Sequence, residues 1–171
     1  MATKQMSNHA HAAKLIRAEL KKAFPSTKFS VTSESYSMGN SIRIHWNNGP
    51  TTNAVKEISK KYQEGHFDGM TDCYEYSNTR RDIPQAMFVN VTRTITENVY
   101  LQAIEELKKK WPFLNGMALD DYINPDLKIP GLSPRNFAYQ HICVLDLTNG
   151  LDLKMLNQVR NGRIEIDEKV A

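Results

Sequence analysis

From His9 to Phe24 the apolar residues Ala13, Ile16, Leu20, Ala23 and Phe24 recur at steps of three and four, the spacing of one helix stripe. Lys14, Arg17 and Lys21 fall on the opposite arc, and Pro25, which brings no backbone donor, closes the helix. The period then drops to two. Phe29 and Val31 alternate with Lys28, Ser30 and Thr32, and Ile42, Ile44 and Trp46 alternate with Ser41, Arg43 and His45, as in strands with one buried face. Between them Ser33 to Asn40 reads as a polar connector with Gly39 and Asn40 available for a turn. Asn47 to Thr52 predicts a turn into a second helix, with Val55, Ile58 and Tyr62 inward, Lys56, Lys60 and Lys61 outward, and Gly65 as its stop.

Met70 to Tyr76 and Met87 to Arg93 read as two further strands, joined by a polar loop carrying Arg80 and Arg81. Thr94 and Glu97 have capping-box spacing ahead of a third helix lined by Tyr100, Ile104, Leu107 and Trp111. Beyond it the pattern loosens. Asn115 to Asn136, with Pro125, Pro130, Gly131 and Pro134, reads as a long loop; Tyr139 to Leu145 as a strand, Leu151 to Arg160 as a short helix, and Arg163 to Ile166 as a last strand. The expected fold is α+β, in the order α-β-β-α-β-β-α with a less regular end, an antiparallel-rich sheet bearing helices on one face. A core domain over residues 1–112 and a C-terminal extension over 113–171, packed on that core, is the expected division.

Composition narrows the class. With 40% hydrophobic residues the chain can bury a core, and 24% charged residues is ordinary for a globular protein. No apolar run approaches the ~18–20 residues of a membrane span, and the N-terminus lacks an export signal, so a cytoplasmic protein without a membrane partner is expected. Cys73 and Cys143 match no zinc spacing and are expected to be reduced and buried.

Charge is unevenly spread. Residues 1–65 carry ten Lys/Arg against four Asp/Glu, and residues 66–171 carry twelve against fifteen, which together return the net +3. The basic part supplies the best candidates for anion contact: Lys14, Arg17 and Lys21 on one helix face, Lys22 and Lys28 extending it, Arg43 and His45 on the polar side of a strand, and Arg80 and Arg81 in a loop. Tyr36, Tyr74 and Tyr76 are candidate stacking platforms for single strands. The competing explanation is a solvated surface, since an amphipathic helix must place polar residues outside.

Chemistry has thinner material. His9 with His11, His141 with Cys143 on a common strand face, and His66 with Asp68 and Asp72 each fall short of the three or four converging ligands of a zinc site. Neither a nucleophile elbow, a P-loop nor a dinucleotide fingerprint occurs, and Asp120 and Asp121, being adjacent, point apart. No catalytic residue, metal or cofactor is expected.

Residues Phe24-Pro25, the strand Lys28–Val31, the glycine-closed loop before Ser41-Ile42, Trp46 with Gly49-Pro50, and Phe67-Asp68-Gly69-Met70-Thr71-Asp72 follow one another in an order that resembles a known family. It is the large polyvalent protein associated domain, type twenty-nine, of phage and conjugative-element proteins, and the resemblance covers about Ala10 to Arg93. It implies a setting, the entry of mobile elements into a host and the countering of its defences. It implies no catalytic residue. The leading expectation is therefore a non-catalytic anti-restriction or anti-CRISPR-like protein that binds a host defence nuclease complex. The alternatives are a nucleic-acid-binding escort of incoming DNA or RNA acting through Lys14, Arg17 and Lys21, and an enzyme centred on His66, Asp68 and Asp72.

Overall fold

The computed structural model describes residues 6–121, 133–160 and 163–164. The fold is α+β, with elements α1 (Asn8–Ala23), β1 (Ser30–Tyr36), β2 (Gly39–Asn47), α2 (Thr52–Ser59), β3 (His66–Asp68), β4 (Cys73–Glu75), β5 (Phe88–Thr94), α3 (Glu97–Lys110), α4 (Pro134–Ile142), α5 (Leu153–Gln158), β6 (Val159–Arg160) and β7 (Arg163–Ile164). They gather into two compact units, residues 1–47 with 52–94, and residues 48–51 with 95–171. The sequence expectation drew its line at 112; in the structure α3 falls in the second unit.

The first unit is built on the sheet β1-β2-β5. β1 and β2 pair antiparallel from Ser30↔His45 to Tyr36↔Gly39, so the connector foreseen over Ser33–Asn40 is mostly strand and the turn is only Ser37-Met38. Glu34 explains the difference: its side chain accepts from Ser41 and pairs with Arg43, holding polar residues in the ladder. β2 and β5 are parallel, from Ser41↔Phe88 to Asn47↔Thr94, so this sheet is mixed. A parallel neighbour needs a crossover, and α2 with the segment after it provides one.

One face of this sheet is dry. Ile42, Ile44 and Trp46 of β2 and Val31 of β1 pack with Ala12, Ala13, Ile16 and Leu20 of α1, Val55 of α2, and Tyr62 and Ala86. Each large apolar side chain fully buried here contributes about 1.5–3 kcal/mol. Glu19 ties α1 to the 3₁₀ turn Lys60–Tyr62 by accepting from Lys61 Nζ at 2.8 Å and from the Tyr62 hydroxyl at 2.9 Å. Burial, with Glu19 beside it, pushes the Tyr62 phenol up to about 12.

β3 and β4 form a short antiparallel hairpin, His66↔Glu75 to Asp68↔Cys73. The strand read over Met70–Tyr76 is thus half turn and half strand. Asp68 makes the turn by accepting from the Met70 N–H at 2.9 Å and the Thr71 hydroxyl at 2.9 Å, and Asp72 takes a positive φ of 54°. Gly65 is not the helix stop the sequence suggested, since the 3₁₀ turn has already ended at Tyr62. Its role is close approach, because a Cβ there would lie 1.8 Å from the Glu75 carbonyl oxygen.

The second unit is mainly helical. Val99, Tyr100, Ala103, Ile104 and Leu107 of α3 pack with Phe137, Ala138 and Ile142 of α4, Leu156 of α5, and Leu114, Leu145 and Leu147. The capping box at Thr94 does not form, because Thr94 ends β5; α3 starts after Thr96, whose N–H donates to Asn48 Oδ1 at 3.0 Å. The strand expected over Tyr139–Leu145 is corrected to helix. Ser133 accepts from the Asn136 N–H, Pro134 stands in the first turn, and Phe137, Ala138, His141 and Ile142 recur at helical spacing. His141 and Cys143 therefore share no strand face. The short helix expected over Leu151–Arg160 is α5, capped by Asp152, followed by β6. β6 pairs antiparallel with β7, the described part of the strand expected over Arg163–Ile166. Residues 165–166, and Pro125, Pro130 and Gly131 of the expected loop, lie outside the described residues. No helix among the described residues is long and apolar enough to cross a membrane.

Candidate nucleic-acid interface

The same alternation that fills the core leaves the other face of β1-β2-β5 to solvent. Thr32 and Glu34 of β1, Arg43 and His45 of β2, and Asn90 and Thr92 of β5 all stand exposed on it. Arg43 pairs with Glu34 at 2.5 Å, and the His45 ring bonds the Thr94 hydroxyl at 2.9 Å. An exposed ion pair of this kind contributes ~0–1 kcal/mol, so the Arg43 guanidinium can be drawn to another anion at little cost.

At one end of this face the aromatic residues gather. Tyr74 stacks edge-on against Phe88 at 5.2 Å and Tyr76 at 4.9 Å, and its hydroxyl donates to the Met87 carbonyl. Burial, with Glu64 adding to it, pushes the Tyr74 phenol up to about 12. Tyr36, at the end of β1, lies over Gly39: a Cβ there would stand 2.7 Å from Met87 Sδ and 3.3 Å from the Tyr36 ring. Ser41, on the same side of β2 and covered at this end, is only 4% exposed and donates to Glu34. Tyr36 and Tyr76 keep 44% and 63% of their surface in solvent, enough to present a ring. Phe67, opposite Tyr74 in the hairpin, is exposed as well.

The nine basic residues singled out from the sequence do not make one surface. Arg17, Lys21 and Lys28 come together around a cleft of about 350 Å³ beside Pro25 and Phe29, with no carboxylate among the described residues that line it. Arg17 is partly committed there, donating to the Val31 carbonyl at 2.5 Å. Lys14 and Lys22 are exposed elsewhere on α1. Arg43 and His45 sit on the open sheet face. Arg80 is held by Asp82 in the loop before β5, its own N–H donating to Gln85 Oε1 at 2.6 Å, and Arg81 is exposed on that loop. The sequence named Tyr36, Tyr74 and Tyr76 for this role but not Phe88, and it named Gly39 only for a turn and Met87 only as the start of a strand. The period-two parity of β5, which sets Phe88 opposite Val89, was the signal available for Phe88.

Residues considered for chemistry have other employment. His66 bonds the Ser77 hydroxyl at 3.2 Å and lies 3.6 Å from Glu75. The Asp68 carboxyl is lowered, first by the Met70 N–H and then by the Thr71 hydroxyl. Asp120 pairs with Arg135 while Asp121 accepts from the Ala118 N–H at 2.6 Å. Among the described residues no three of His, Cys, Asp and Glu converge as a metal site would require. Cys73 is exposed and Cys143 half-buried, so neither is the buried thiol expected; neither forms a disulfide.

A family model, that of large polyvalent protein associated domain 29, matches residues 7–102, more than half of the chain. No curated protein and no solved structure matches it.

Proposed function

We propose, from the premise that the chain belongs to the large polyvalent protein associated domain 29 family and is thereby a phage- or mobile-element-associated protein, that it binds single-stranded nucleic acid. The open face of β1-β2-β5 is the binding surface and the protein escorts DNA or RNA of the element. The observation that carries this reading is that Arg43 and His45 stand on the open sheet face at whose end lie exposed Tyr36 and, through Tyr74 packed on Phe88, exposed Tyr76. Cations neutralise phosphates and rings accept unstacked bases without regard to sequence. A duplex hides its base faces, so the same surface favours a single strand.

The test is fluorescence anisotropy of labelled single- and double-stranded oligonucleotides at low and physiological salt. Single strands should bind more tightly than duplexes, with affinity falling as salt rises. Tyr76→Ala should weaken single-strand binding by about 1–3 kcal/mol, the usual worth of a stacked base. Absence of binding, or equal binding by the Tyr76→Ala protein, would refute the assignment.

A second reading is a non-catalytic counter-defence protein that occupies a host nuclease complex, in the manner of an anti-restriction or anti-CRISPR factor. It is favoured by the open edge of β5, an element suited to a protein partner. Expression in cells with an active nuclease defence should protect incoming DNA, and unchanged DNA loss would remove this reading.

A further inference from the structure

β5 is an edge strand, and its outer edge is only partly paired. Just before β5, Gln63 and Ala86 form an isolated parallel bridge: the Ala86 N–H donates to the Tyr62 carbonyl at 2.9 Å and the Glu64 N–H to the Ala86 carbonyl at 3.0 Å. At the next outward-facing position a side chain takes over, Gln63 Oε1 accepting from the Val89 N–H at 2.9 Å. One alternation further, the N–H and carbonyl of Val91 point the same way, and among the described residues nothing pairs with them. The edge is thus started by the protein's own chain and left open.

The open part borders a cleft of about 430 Å³. Val89 and Val91 supply aliphatic lining, and Lys56 of α2, Lys60 of the 3₁₀ turn, Gln63 and His66 line it as well. Among the described residues Glu57 is its one lining carboxylate, and it is already paired with Lys60 at 2.7 Å. The lining therefore carries a positive surplus, left by Lys56, beside two aliphatic side chains.

We propose that this cleft binds an extended acidic peptide segment, which joins the sheet as a strand next to β5. A peptide backbone matches the donor and acceptor spacing of a strand edge residue by residue, whereas a nucleic-acid chain does not. Its aliphatic side chains lie on Val89 and Val91, and flanking carboxylates reach Lys56 and Lys60. The site is separate from the aromatic sheet face. It supplies the counter-defence reading with a contact element, and a failed peptide titration would leave the cellular protection assay to judge that reading by itself.

The experiment is an NMR titration of the isotope-labelled full chain with a capped peptide of two central valines flanked by glutamates. Saturable shifts centred on the Val89 and Val91 amides, with slowed exchange at Val91, are expected. Charge reversal at two exposed lysines, Lys56→Glu with Lys60→Glu, should abolish this binding and admit instead a peptide of the same two valines flanked by lysines. Tyr76→Ala should leave the titration unchanged. The proposal is overturned by the absence of saturable shifts, by equal binding of a peptide N-methylated along its backbone, or by an oligonucleotide that moves the same amides.

Discussion

The two compact units bury comparable sets of apolar residues but dispose of their surfaces differently. In the first, the core lies against one face of a sheet, so the opposite face is left as an ordered polar plane with Arg43, His45 and a cluster of rings. In the second, α3, α4 and α5 enclose their core among themselves, and its aromatic residues Trp111, Phe113 and Phe137 are spent on one another, with ring separations of 5.2 and 5.6 Å. A half-buried sheet produces a recognition surface as a by-product of folding. A helical cluster of this kind does not, which is why the candidate sites described above fall in the first unit.

The comparison breaks most sharply at Trp46, only 1% exposed in the sheet core and stacked at 5.5 Å on Phe29. Trp46→Ala should cost about 3–5 kcal/mol, the usual range for deleting a buried large aromatic. Denaturant unfolding followed by amide exchange at Ile44 would measure it. A loss below about 1 kcal/mol would mean that the sheet core is not what holds this unit.

Gly65 comes next. With a Cβ forced to 1.8 Å from the Glu75 carbonyl, Gly65→Ala must displace the hairpin β3–β4 that carries Tyr74 and Tyr76. About 1–3 kcal/mol of stability should go, as for other overpacked sites, and nucleic-acid binding should fall with it. Wild-type melting and binding would show that the close approach is unimportant.

In the second unit the expected effect is a pH dependence. His141 is buried, bonded to the Phe137 carbonyl at 2.9 Å, and packed on Trp111 and Phe137. Burial lowers its basicity below the ordinary 6.5, with Lys110 adding to the effect and the Phe137 carbonyl opposing it. The unfolded chain therefore binds its proton at higher pH than the folded one. Stability is fully present above 6.5 and is lost as pH falls from there through the depressed folded value. Unfolding followed from pH 7.5 to 5 should show a slope that His141→Gln reduces; identical slopes would assign the pH dependence to other groups.

Where period and punctuation agreed, the elements were legible. α1, β2 and α3 lie within a residue or two of their sequence bounds, because each has a clean stripe or alternation. Tyr139–Leu145 misled, because a short apolar run looks alike in a strand and a buried helix; the helical spacing of Phe137 with His141 and the Ser133-Pro134 start were the better guide. The parallel pairing of β5 lay beyond local pattern, being a property of the crossover. At the site, Tyr36, Tyr74, Tyr76, Arg43 and His45 were each named, but strand parity and hairpin packing bring them to one face. The basic helix, which dominated by charge count, proves separate from that face, with Arg17 turned to a backbone carbonyl. Sequence favoured a protein target; we place single-strand binding ahead of it as a proposal, on the grouping of Arg43 and His45 with the rings.

The most direct measurement is the NMR footprint of a short single-stranded oligonucleotide on the isotope-labelled protein. The account predicts saturable shifts at Arg43, His45, Tyr36 and Tyr76, with α1 and the second unit little changed. Shifts confined to Lys14, Arg17 and Lys21, or none at all, would contradict it.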